Sequence, residues 1–275
     1  MWYSAMMHTL QAQFSDVDDL LREAIRGHLQ GHGSFVIENS GRIGPLVELL
    51  AAAQQFPNEY ASVSFAGSFA PKVRDAWATG QPFGGGFSDR AGAFPLPLEN
   101  PVETRDPVWE QWLLHAENVA KNRGFPSGLV ASLVGALGEM QDNVYEHSGA
   151  AQTGLVAYAV TDRTFEFVVA DRGIGVLETL RQNPEYAHLP DAGAALTEAI
   201  RPGVSRFPAS SGRGQGFIQL CKSMVTDRVE LRFRSGDHAL TLCPTNDPLN
   251  GHQRLSHTSA LAGLTISAIW RAETP

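Results

Sequence analysis

Leu137-Gly138-Glu139-Met140-Gln141-Asp142-Asn143-Val144-Tyr145-Glu146-His147-Ser148 places Glu139, Asn143 and His147 at successive i, i+4 steps. At about 100° per residue the three drift only about 80° around a helix, so they share one face. Leu133, Leu137, Met140 and Val144 form a neighbouring apolar stripe. A helix over residues 126–147 can therefore bury one side and present a carboxylate, an amide and an imidazole to a cleft. The same pattern also fits a helix whose polar face is simply solvated.

Two further segments carry chemistry. Phe165-Glu166-Phe167-Val168-Val169-Ala170-Asp171-Arg172-Gly173-Ile174-Gly175 is an apolar strand that ends on an acid and turns through two glycines. A carboxylate there can accept from an exocyclic amine, and glycines let backbone approach a flat ring without a Cβ. An ordinary turn uses the same residues. Ser210-Ser211-Gly212-Arg213-Gly214-Gln215-Gly216-Phe217-Ile218-Gln219-Leu220 alternates glycines before an apolar run. Backbone N–H groups at such a helix entry favour phosphate oxygens, and Arg213 adds positive charge; a flexible loop is the alternative. Neither the Walker nor the Rossmann spacing is present.

Around these segments, the periodicity predicts helices over 108–122 and 126–147. It predicts strands at 154–160, 164–170, 228–234, 238–243 and 264–270, and a helical piece at 192–200. The Pro- and Gly-containing stretch 176–211 is expected to act as a mobile lid. Upstream, an acid-led helix over 15–30, a strand at Phe35-Val36-Ile37, a helix around 46–50 and a strand at 61–65 suggest a small α/β module. Residues 80–107 collect Gly84-Gly85-Gly86 and Pro95, Pro97, Pro101 and Pro107 without periodicity, as a linker would. The chain is thus divided into 1–105, with the linker at its end, and 106–275.

Composition narrows the field. Of 275 residues 43% are hydrophobic and 18% charged, enough for a packed core. A net charge of -8 disfavours a nucleic-acid partner, which needs clustered Lys and Arg. Cys221 and Cys243 are the 2 cysteines and lack metal-ligand spacing, and no long apolar run suggests a membrane span. A reduced, cytoplasmic setting is expected. The scattered histidines read as surface residues and the Trp side chains as core.

In order and spacing, the three segments resemble the asparagine box and the two glycine boxes of the gyrase, chaperone, histidine kinase and MutL (GHKL) ATP-binding superfamily, whose nucleotide site is called the Bergerat fold. Asn143 to Ser148 and Asp171 to Gly175 look most like stand-alone bacterial histidine-kinase-like ATPases and anti-sigma-factor kinases. The resemblance covers roughly 108–275. It implies an α+β sandwich with helices on one face of a mixed, mostly antiparallel sheet, and ATP and Mg2+ as cofactors. It further implies that Asn143 coordinates the magnesium ion, that Asp171 accepts the adenine amine, and that Gly173 and Gly175 shape the base pocket. Gly212, Gly214 and Gly216, with Ser211 and Arg213, would flank the triphosphate, and His147 and Thr265 join the nucleotide-binding set. Glu139 takes the place of the general base. Leu264 stands where many relatives carry Thr, and Gln215 where Leu or Asn is common. The implied function is magnesium-dependent ATP binding with phosphoryl transfer to a regulatory protein partner; an ATPase coupled to conformational change and a nucleotide sensor without catalysis are the alternatives. A homodimer is compatible with either.

Overall fold

The computed structural model describes residues 7–11, 13–25, 34–38, 41–84, 89–201, 204, 228–244 and 252–272. Its first part alternates β1 (Met7–Gln11), α1 (Phe14–Ile25), β2 (Ser34–Glu38), α2 (Ile43–Gln55), β3 (Val63–Ala66) and α3 (Ala70–Thr79). The strands pair in parallel in the order β1-β2-β3. Parallel neighbours need a crossover, and α1 and α2 supply it. β1 and α3 add to the elements expected from the sequence.

The second sheet contains β4 (Ala91–Pro95), β5 (Leu155–Val160), β6 (Thr164–Ala170), β7 (Val229–Cys243) and β8 (His252–Arg271) in the order β4-β5-β6-β8-β7. Every described pairing in it is antiparallel, so the mixed character expected of this sheet is not seen. Helices α4 (Pro107–Asn122), α5 (Ser127–His147), α6 (Gly175–Arg181) and α7 (Ala192–Ala199), with short 3-10 turns at Ala151–Thr153 and Pro184–Tyr186, complete the described elements of this part. An α+β sandwich results. Among the described residues, no helix is long and apolar enough to cross a membrane.

Helices cover both faces of this sheet, where the sequence suggested one. The alternation along the strands shows why. Phe165, Phe167 and Val169 of β6 join the core under α4 and α5, while Val168 and Ala170 join the core beneath α1, α2 and α3. Along β5, Val156, Tyr158 and Val160 take the first side and Leu155, Ala157 and Ala159 the second. A strand buried on both faces reads as a continuous apolar run, as these do.

The stretch 80–107, expected to be a linker, carries β4 at the edge of the second sheet. Ala91-Gly92-Ala93-Phe94-Pro95 has little strand propensity of its own, and tertiary packing decides its state. A Cβ on Gly92 would lie 2.6 Å from the Tyr158 ring. Phe94 packs edge-on against Trp109, with centroids 4.9 Å apart, and Trp109 stacks on Trp112. Asp106 caps α4 by accepting from Val108 N at 2.8 Å, with Pro107 at the first helical position.

The two strands expected at 228–234 and 238–243 are one strand, β7, interrupted by a register shift between Ser235 and His238. The stretch 176–211, expected to act as a mobile lid, carries α6 and α7, while 202–203 and 205–211 lie outside the described residues. Val176 and Leu180 of α6 and Ala195, Leu196 and Ala199 of α7 are buried in the core. The Arg181 guanidinium at the end of α6 donates to Leu189 O, in the segment that leads to α7, at 2.8 Å.

Candidate functional site

Helix α5 places the polar face read from the sequence. Leu133, Leu137, Met140 and Val144 are buried, which fixes the rotation of the helix. Glu139 is exposed, and Asn143 and His147 are half-buried along the same face. Asn143 Nδ2 lies 3.7 Å from Met140 Sδ, and its amide oxygen is an acceptor. His147 Nε2 is 3.8 Å from Glu146 Oε2, and His147 O accepts from Thr179 Oγ1 of α6 at 3.2 Å.

The C-terminal end of α5 meets the loop that follows β6. Ser148 O accepts from Ile174 N at 2.9 Å. A Cβ on Gly173 would run into the Ser148 backbone, so only glycine allows this contact. Gly175 has φ 76°, a conformation glycine adopts without strain. The glycines first read as leaving room for a ring thus also have a duty within the protein.

Asp171, 4% exposed, stands at the end of β6 between this loop and the start of the regular part of β8. Its Oδ1 accepts from Gly173 N at 2.8 Å and its own N–H donates to Leu264 O at 2.9 Å. Burial pushes its carboxyl up to about 6, against the pull of the Gly173 and Leu264 amides. Gly263, with φ 81°, wraps closely around the Asp171 carbonyl, where a Cβ would collide.

The structure therefore brings together His147, Asp171, Gly173 and Gly175, with Asn143 and Glu139 one and two turns further back on α5. It does not bring Thr265 to them. Thr265 pairs with Ala170 and Arg234, whose side chains belong to the opposite face of the sheet. Strand alternation gives the reason, since Asp171 and Ala170 point to opposite sides. Ser211, Gly212, Arg213, Gly214 and Gly216 lie outside the described residues.

Sequence reasoning missed the polar cluster behind the sheet. Arg232 and Arg234 of β7 meet Glu48 of α2 and Asp18 of α1, with Arg232 Nε to Glu48 Oε1 at 2.9 Å and Arg232 Nη2 to Asp18 Oδ1 at 2.9 Å. Burial alone would lower the Arg232 pKa, and these two carboxylates reverse this and hold it above its ordinary value. Glu166 of β6 accepts from Arg42 at 3.0 Å and from Ile43 N at 2.9 Å, which caps α2. An acid in the middle of an apolar strand was the available signal.

A cleft of about 580 Å3 runs along another side of α5, lined among others by Glu99, Glu103, Asp142 and Glu146. Such a wall repels anions. Among the described residues, no group of three or more His, Cys, Asp or Glu could hold a metal ion. A magnesium ion retains water ligands and needs few protein atoms, so the single amide oxygen of Asn143 is compatible with one. Comparison with protein-family models, curated proteins and solved structures finds no match to this chain.

Proposed function

We propose that this chain binds an adenine nucleotide with magnesium in front of α5 and passes the γ-phosphate to a protein partner. The observation that carries the reading is Asp171, a buried carboxylate at a strand end, held in a glycine-lined loop against the C-terminus of α5. A buried acid is costly to keep unless it has a task, and an acceptor for an exocyclic amine is one that suits its place.

Asn143 then supplies its amide oxygen to the metal, which neutralises the phosphates when bound. Glu139, exposed two turns back on the same face, is free to take a proton from an incoming hydroxyl. That exposed carboxylate favours phosphoryl transfer to a second protein over a sensor without chemistry. His147, at the end of the same face, orients the helix terminus through its carbonyl and Thr179.

Calorimetric titration with ADP and ATP, with and without Mg2+, is the test. Binding that strengthens with the metal is expected. A folded protein that takes up neither nucleotide overturns the reading.

A further inference from the structure

Ser235 belongs to none of the three segments singled out in the sequence. It is 2% exposed and lies at the register shift of β7. Its Oγ donates to Gly263 O at 2.8 Å and accepts from Val176 N at 3.0 Å. Val176 is in the first turn of α6, where a backbone N–H has no acceptor within the helix. Gly263 encloses the Asp171 backbone, and Gly175 precedes Val176, with a hypothetical Cβ 2.7 Å from Ser235 Oγ. One hydroxyl therefore joins the two chain segments between which Asp171 stands.

We propose that Ser235 is a positioning residue for the base pocket, clamping Gly263 to Val176 and so fixing where the Asp171 carboxylate points. This rests on the adenine-nucleotide reading. The donor role and one acceptor role of the hydroxyl are both used within the protein, so it acts through the loops and not on the ligand. Its anchor is firm, because the neighbouring Arg234 is held on the opposite face by Asp18 and Glu48 and donates to Ser259 O at 2.9 Å. Removing the hydroxyl leaves the Gly263 carbonyl and the Val176 amide buried without a partner, and the cheapest relief is to part the two loops around Asp171.

The test compares wild type with Ser235→Ala, titrating ADP with Mg2+ and, separately, inorganic tripolyphosphate with Mg2+ as a ligand without a base. ADP affinity is expected to fall about tenfold while tripolyphosphate affinity stays within about twofold, since the loss falls on the base end. Equal ADP affinity in the two proteins, or an equal loss for tripolyphosphate, overturns the role of Ser235 and leaves nucleotide binding standing. Failure of folded wild type to bind ADP overturns both. Should Ser235→Ala not fold, Ser235→Cys replaces it, being close in size but a poor donor and acceptor, with the same outcomes deciding.

Discussion

Asp171 carries a cost in the folded protein that shows in its pH dependence. The unfolded chain releases this proton near the ordinary value of 3.8, and the fold holds it until about 6. The folded state thus binds more protons between the two, and stability falls as pH rises through that window. The full penalty, on the order of 3 kcal/mol, is present above about 6. Asp171→Asn keeps an oxygen for the Gly173 amide and removes the charge. It is expected to raise stability in urea at pH 7.5, to change it little below pH 4, and to weaken ADP binding about ten- to hundredfold. Equal denaturation midpoints at pH 7.5 count against a strained acid. That Asp171 ends a strand and is followed by a glycine turn was legible in the sequence, because an apolar run that closes on an acid and two glycines marks a strand end. Ser235 was not, because its partners Val176 and Gly263 lie 59 and 28 residues away along the chain.

At the scale of elements, α5 was legible to its apolar stripe, since a 21-residue helix repeats its pattern over several turns. β4 was not, because 5 residues rich in Ala, Gly and Pro hold no periodicity, and their pairing with β5 is a long-range contact. Three substitutions separate what these elements do. Glu139→Ala is expected to leave nucleotide affinity within a few-fold and to lower phosphoryl transfer about a hundredfold or more, as measured with radiolabelled ATP. Asn143→Ala is expected instead to abolish the dependence of binding on magnesium. Parallel losses of affinity and turnover in Glu139→Ala would make that acid structural. Behind the sheet, Glu48→Ala strips a carboxylate from two buried guanidiniums. A destabilisation of about 3–5 kcal/mol is expected, read from the shift in the urea midpoint.

For the whole molecule, the sequence suggested two parts in series, while the structure shows that they share a core. Val17, Leu21 and Leu46 pack in one cluster with Ala93, Leu155 and Val168 of the second sheet. Gln55 of α2 also accepts from Ala262 N at 2.8 Å, next to Gly263. This layering was invisible in the sequence, because an apolar strand run does not say which element covers its second face. Thermal unfolding is expected to be a single transition with equal calorimetric and van't Hoff enthalpies. A fragment of residues 106–275 lacks both β4 and the covering helices and is expected to aggregate on expression. A soluble fragment with dispersed amide resonances would instead show that the second sheet stands alone.

The order β4-β5-β6-β8-β7 has a consequence for how the protein is made. β6 is complete at Ala170, yet its neighbour β8 starts at His252 and is laid between β6 and β7. On the ribosome, which adds about 5–20 residues each second, β6 waits several seconds with one edge open. Asp171 has no Leu264 carbonyl to meet until that last described strand has emerged. The surroundings of Asp171 are therefore completed well after β6 itself, and nascent chains arrested before residue 252 should offer an unpaired strand edge to chaperones.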